Sequence, residues 1–251
     1  MHILAIIPAR GGSKVIPFKN IRKLAGKPLI EHTIESAKKS KYIDKLIVTT
    51  DNKKIAKIAE AAGAEVPFLR PKKISRDDSP SIEYVKHTLD FLSSNQLYIP
   101  DIVLILQPTS PLRTSNTIDR SIEMLRKSNA SCILGVSKIK NHPFLSFWYK
   151  GQYLKPFKKN FQKYYQRQKF PELYYPTGSI YTFWRETVKK YNSVYGPKIK
   201  PMIIDDITRI DIDEEFDFVM CETIILNKQS LKISGKRIKR NGKRTHESKN
   251  I

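Results

Sequence analysis

Between Pro8 and Asn20 the chain reads PARGGSKVIPFKN, in which two glycines stand among three cations, Arg10, Lys14 and Lys19. Gly11 and Gly12 let the backbone come close to an anion and leave amide N–H groups free to donate. Arg10 can grip two phosphate oxygens in a fork, whereas the lysines act as point charges. Such a cradle suits the phosphates of a nucleoside triphosphate. Its spacing departs from the Walker A loop, which needs a glycine directly before Lys-Ser or Lys-Thr, and from the GxGxxG dinucleotide fingerprint. Taken bare, the same pattern also describes a solvated basic turn whose glycines only reverse the chain.

A second group of candidates stands near the other end. Asp211 and Asp213 are two apart in RIDIDEEFDF. On an extended strand both carboxylates point to one face and can share a hard cation. Magnesium there would neutralise phosphate charge and orient an attacking oxygen. The residues alone leave another role open, in which Asp213 caps a helix starting at Glu214. His142, in NHPF, has no partner in sequence that makes it a ligand or general base and reads as structural. Cys132 and Cys221 lie far apart in apolar surroundings, as buried free thiols do, and fit a reducing cytoplasm better than a disulfide or metal framework.

Positioning these groups requires a frame. Ile3 to Pro8 is a short apolar run ending at proline and glycine, the pattern of a buried strand that opens into a loop. Leu29, Ile30, Thr33, Ile34 and Ala37 follow at helical spacing, with Pro28 suited to the first turn. The alternation continues with strands over Lys45 to Thr50, Ala64 to Leu69, Asp101 to Leu106 and Ala130 to Val136. Helices are expected over Lys53 to Ala62, Pro80 to Leu92 and Ser115 to Lys127. This rhythm predicts an α/β domain with a mainly parallel, Rossmann-like sheet and helices on both faces, whose ligands bind where loops leave the strand carboxyl ends. From Lys138 to Pro176 the rhythm gives way to aromatic, proline and lysine residues, read as an inserted arm. Ser179 to Trp184 is a further strand, and Glu214 to Leu226 a final helix carrying Phe216, Val219, Met220 and Ile224 on one side.

The sequence of 251 residues is enough for one main domain, residues 1–226, and carries a formal net charge of +22. About a third of that excess lies in residues 227–251, a basic tail without apolar periodicity, read as disordered and solvated, with a polyanion or membrane-surface contact as the other possibility. The remaining charge could equally serve a polyphosphate substrate. The N-terminal apolar stretch is too short for a signal peptide, and no run approaches the ~20 residues of a membrane span, so a soluble cytoplasmic protein is expected.

Taken entire, the string from Pro8 to Asn20 resembles the signature of the CMP-sialic acid synthetases, the N-acylneuraminate cytidylyltransferases, usually ARGGSKGIPxKN. The resemblance continues through GKPLI, VTTD, GAEVPFLRP, LQPTSPLR, GSIY and IDIDEEFDF, and so covers nearly everything from Ile3 to Leu226. It implies a nucleotide-diphospho-sugar transferase-like fold and attack by the anomeric hydroxyl of a keto-sugar acid on the α-phosphorus of CTP, giving a CMP-sugar and pyrophosphate. Carried onto this chain, it implies that Arg10, Lys14 and Lys19 act with Asp211 and Asp213, the pair that holds Mg2+. Ala9, Arg10, Gly11, Gly12, Ser13, Lys14, Asn20, Arg70 and Ser81 fall on nucleotide positions. Gln107 falls on a sugar position, and Arg167 on an arginine that reaches the sugar carboxylate from the neighbouring subunit of a homodimer. The aromatic arm, with Phe147, Trp148, Tyr149, Phe161, Tyr164 and Tyr165, then packs a dimer interface, and Arg113 reads as structural.

The chain departs from the family pattern at Val15, where glycine is usual, and at Leu145, Tyr175 and Thr177, where lysine, arginine and asparagine are common. Three of these lie on the sugar side, so a related nonulosonic acid of the legionaminic type fits as well as N-acetylneuraminate. A Kdo-type cytidylyltransferase is the neighbouring alternative, but that family lacks the Gly-Gly-Ser-Lys and Lys-Asn elements. A basic nucleic-acid-binding protein is the alternative of another class, and leaves the aspartate pair unexplained.

Overall fold

The computed structural model describes residues 1–12, 15–159 and 170–227. Ser13, Lys14, Arg167, the arm residues Phe161, Tyr164 and Tyr165, and the tail beyond Asn227 lie outside them.

Six strands form the main sheet: β1 (Ile3–Pro8), β2 (Lys45–Thr49), β3 (Ile102–Ile105), β4 (Cys132–Lys138), β7 (Tyr174–Trp184) and β8 (Ile199–Ile203). Their spatial order is β8-β4-β7-β3-β1-β2. β1 pairs in parallel with both β2 and β3, and β8 with β4, while β7 runs antiparallel between β3 and β4. Two short strands, β5 (Phe147–Lys150) and β6 (Tyr153–Pro156), make a separate hairpin within the arm region. The helices are α1 (Leu29–Lys38), α2 (Lys53–Ala61), α3 (Ser81–Gln96), α4 (Ser115–Arg126), α5 (Arg185–Tyr191) and α6 (Glu215–Leu226).

β1 shows why the sheet is covered on both faces. Ile3, Ala5 and Ile7 face one apolar cluster, with Ile30 and Ile34 of α1, Ile55 of α2 and Ile118 of α4. The alternate residues Leu4 and Ile6 face a second cluster, with Val85 and Leu92 of α3 and Phe183 of β7. The period of two along a strand divides its side chains between two layers, so a strand buried on both sides must be apolar throughout. A third cluster joins Ile16, Leu24 and Leu29 to Ile212, Phe218 and Cys221, and so packs α6 beneath the glycine-rich loop.

Several boundaries differ from expectation. Ala64 to Leu69 makes only isolated bridges from Glu65 to Ile47 and from Leu69 to Thr50. Pro28 is the N-cap of α1, just outside its first turn. The sheet claims Tyr174 to Pro176 through their pairing with Lys138 to Val136, so these residues extend β7 and do not belong to the arm. α5 and β8 were not expected: α5 is a single short helix of seven residues and β8 is largely exposed, so neither carries a strong period. α6 buries Phe218 and Cys221, whereas on the expected apolar side Phe216 and Val219 are exposed and Met220 and Ile224 half-buried. Cys132 and Cys221 are free and buried, and burial pushes both thiols up to about 12. No helix among the described residues is long and apolar enough to cross a membrane.

Candidate active site

The carboxyl ends of β1, β2 and β3 converge on a polar cleft of about 240 Å³ lined by Arg10, Gly12, Lys19, Asn20, Arg70, Ser81 and Gln107, among others. A larger hollow of about 480 Å³ lies between α3 and α5, but Pro100 and Arg185 place it at the opposite end of the sheet. Strand direction, and not size, therefore marks the first cleft as the site of chemistry.

The glycine-rich loop enters this cleft as β1 ends. Ala9 is buried and its amide donates to the Thr49 carbonyl at 3.0 Å, which ties the loop to β2. The Gly11 amide donates to Asp51 Oδ1 at 2.8 Å. A Cβ at Gly11 would stand 2.8 Å from Asn52 Nδ2 and 2.9 Å from Asn52 Cβ, so the glycine is required by close approach to the N-cap of α2. Gly12 faces open space. Asn20 is buried, and its Nδ2 donates to the Arg10 carbonyl at 2.9 Å, fixing the backbone from which Arg10 projects. The Arg10 guanidinium pairs with Asp77 across the cleft mouth. Val15 is exposed beside this loop.

Arg70 and Ser81 form the far wall. Arg70 is 5% exposed, its amide donates to the Thr50 carbonyl at 2.7 Å, its Nε donates to Ser75 Oγ at 3.0 Å, and its guanidinium lies 5.5 Å from the Tyr84 ring centroid. Burial pulls the guanidinium below its ordinary value, and the charge of Asp51 opposes this. Burial also pushes the Tyr84 hydroxyl up to about 12, so it stays a neutral hydrogen-bonding group.

The aspartate pair lies in a loop and not in a strand. Ile212, between the two, is fully buried in the third apolar cluster, while Asp211 is half-buried and Asp213 exposed. Lys19 reaches this segment: its Nζ donates to the Ile212 carbonyl at 2.6 Å and stands 3.7 Å from Asp213 Oδ1. Desolvation raises Asp211 above the ordinary carboxylate value, a hydrogen bond from Thr109 opposes this, and the charge of Asp213 adds to the rise. Asp213 does not cap α6. Glu214 is the N-cap, in a capping box with Asp217, and the Asp213 amide donates to Asp217 Oδ2 at 3.0 Å, leaving the Asp213 carboxylate exposed.

Arg113 is buried beneath this floor. It donates to the carbonyls of Ser179 and Gln107, and through Nη1 to Thr33 Oγ1 at 3.3 Å. Burial lowers its guanidinium to about 9, with Asp211 opposing. Among the described residues it has no ion pair, so its hydrogen bonds are structural. His142 is likewise structural, accepting from the Phe144 amide at 3.2 Å in the arm. Of the departures, Tyr175 binds Arg209 through its hydroxyl, Thr177 is buried against Gly135, and Leu145 lies in the hollow at the arm base.

Of the expected site residues, Arg10, Gly12, Lys19, Asn20, Arg70, Ser81 and Gln107 line one cleft, with Ala9 and Gly11 behind it and Asp211 and Asp213 tied to it through Lys19. Ser13, Lys14 and Arg167 fall outside the described residues. Sequence reasoning missed Asp51, which holds the Gly11 amide, and Asp77, which pairs with Arg10. The signals for Asp51 were its place just after a strand and at the end of the VTTD block, and Asp77 carried none.

The family profile described as "Cytidylyltransferase" matches residues 4–229. The CMP-N,N'-diacetyllegionaminic acid synthase of Legionella pneumophila is 37% identical over 92% of this chain and all of its own length. The N-acylneuraminate cytidylyltransferase of Escherichia coli is 33% identical over 92% of the chain, which spans 54% of that longer protein. In fold, a CMP:2-keto-3-deoxy-manno-octonic acid synthetase solved with CTP superposes with a TM-score of 0.65 at 15% identity, covering 91% of this chain and all of the other. A glycine-rich cationic loop at the end of β1, an aspartate pair held against it, and a matching profile across almost the whole domain have one common meaning: the chain is a member of the cytidylyltransferase family.

Proposed function

We propose that this enzyme transfers CMP from CTP to the anomeric hydroxyl of a sialic-acid-like nonulosonic acid and releases pyrophosphate. The observation that carries the reading is the meeting of Lys19 with the segment Asp211 to Asp213 at the mouth of the cationic cleft. The loop at Gly12, with Arg10 and Lys14, would hold the triphosphate, and Arg70, Asn20 and Ser81 the nucleoside. Gln107, at the exit of β3, would orient the sugar acid. Arg167 would reach its carboxylate from the partner subunit.

Among the described residues no group of three or more His, Cys, Asp or Glu could hold a metal unaided. Two carboxylates suit magnesium, which keeps several waters and completes its shell with substrate phosphates. Asp211 and Asp213 would hold it, and when bound it would neutralise charge on the reacting phosphate. Lys19 fixes the backbone between these carboxylates before substrate arrives.

The arm presents Phe147, Trp148, Tyr149, Tyr153 and Leu154 exposed on its hairpin. Aromatic residues grouped in this way favour the arm as the interface of a homodimer. The relatives' names support a nonulosonic acceptor, and 37% identity to the legionaminic enzyme favours that branch. The test is pyrophosphate release from each nucleoside triphosphate with Mg2+ and a panel of acids: N-acetylneuraminate, a legionaminic-type acid and an eight-carbon acid. CTP-specific release with a nine-carbon acid is expected. Release with the eight-carbon acid alone would move the enzyme to the Kdo class. No release, with salt-sensitive oligonucleotide binding that survives Asp211→Asn, would overturn the reading. Deleting residues 228–251 should leave turnover intact if the tail is dispensable.

A further inference from the structure

β7 does not run evenly beside β4. Leu134 pairs with Tyr181, but the next pair joins Val136 to Pro176, so Gly135 alone faces the four residues Thr177 to Ile180. Bulges of this kind re-aim the chain beside sites. This one is fastened from several sides. Thr177 Oγ1 donates to the Gly135 carbonyl at 3.3 Å and accepts from Ser179 Oγ at 2.6 Å. Ser110 Oγ donates to the Thr177 carbonyl at 3.4 Å. Arg113 binds the Ser179 carbonyl and the Gln107 carbonyl with one guanidinium, and so joins the bulge to the exit of β3.

At the crest stands Gly178, with φ of +69°. A Cβ there would lie 2.6 Å from Gln107 Oε1 and 2.7 Å from Asp211 Oδ2, well inside van der Waals contact. A bare Cα therefore holds open the space between these two side chains. Asp211 accepts a hydrogen bond from Thr109, whereas the Gln107 amide is the far end of a flexible chain, so an added methyl group would displace the amide first.

We infer that Gly178, clamped by Arg113, is a positioning residue that sets Gln107 relative to Asp211, and so sets the acceptor acid relative to the phosphate-bearing side of the site. This rests on the assignment of Gln107 to the acceptor and Asp211 to the nucleotide-metal side. A displacement of roughly an ångström at such a site costs on the order of 10²-fold in rate.

The experiment compares wild type, Gly178→Ala, Gln107→Ala and the double variant. Acceptor kcat/KM at saturating CTP should fall by about 10²-fold in Gly178→Ala, while CTP affinity, measured by calorimetry without acceptor, is unchanged. The double variant should be no slower than Gln107→Ala, because both changes remove one interaction, whereas a general structural lesion would multiply the losses. Multiplying losses, or near-wild-type kcat/KM in Gly178→Ala, would overturn the inference. If Gly178→Ala does not fold, Arg113→Met, which has no donor for either carbonyl, should show the same split between acceptor and CTP. A crystal structure of the variant that folds decides the case without turnover: Gln107 should be displaced, and an unmoved Gln107 refutes the inference even if no sugar acid proves to be a substrate. Failure of the functional reading shows separately, as a wild-type enzyme inactive with every acid.

Discussion

Replacing Lys19 by methionine separates what this residue contributes to the fold from what it contributes to catalysis. Methionine keeps most of the aliphatic length of a side chain that is only 15% exposed, and removes the charge and the donor. The fold loses the hydrogen bond to the Ile212 carbonyl at 2.6 Å. A bond from a charged donor contributes about 1.5–3 kcal/mol. The attraction to Asp213 at 3.7 Å adds little, because the Asp213 side chain is 81% exposed and water screens the pair. For a domain of this size each kcal/mol lowers Tm by roughly 2–4 °C, so a fall of about 3–12 °C is expected. Catalysis loses more. A positioned cation facing developing phosphate charge in a partly dry cleft is comparable to an oxyanion-hole donor, worth about 10²–10³ in kcat. The assay is pyrophosphate release under saturating CTP and acceptor, at a temperature where thermal melting shows the variant folded. The reasoning fails if Lys19→Met retains kcat within a few-fold of wild type while melting as expected.

Three further outcomes follow from the geometry. Desolvation raises Asp211 in the fold above its unfolded value of 3.8, so its ionisation costs stability above the raised value, and the cost disappears as pH falls toward 3.8. Asp211→Asn should therefore abolish turnover yet melt no lower than wild type at pH 7.5 without magnesium, with the difference narrowing on acidification; a markedly lower Tm at pH 7.5 would count against this. Arg70→Ala removes a buried side chain that touches Ser75 and Tyr84 in the nucleotide wall, and should raise KM for CTP by about tenfold or more with kcat less affected; an unchanged KM would remove Arg70 from the nucleotide site. Cys132 and Cys221 are buried and their thiols are pushed up to about 12, so iodoacetamide at pH 8 should label neither until the chain unfolds, as mass spectrometry would show.

The sequence alone determined the layered frame, because a strand buried on both faces has to be apolar throughout, and Ile3 to Pro8 satisfies that condition in any tertiary context. It also singled out the loop, since Gly11, Gly12, Arg10 and Lys19 are legible by residue type and close spacing, but not that Gly11 is needed for the approach of Asn52. It misjudged α6, where apolar residues surround most of the helix and no period selects a side. Docking against Ile16, Leu24 and Ile212 buried Phe218 and Cys221 and left Phe216 and Val219 outside. Only the tertiary structure brought Asp77 to Arg10 across 67 residues and Lys19 to Ile212 across 193. It alone placed the bare Cα of Gly178 between Gln107 and Asp211. Such contacts leave no local pattern, because the free energy that forms them is set by how packed elements meet and not by the preferences of neighbouring residues.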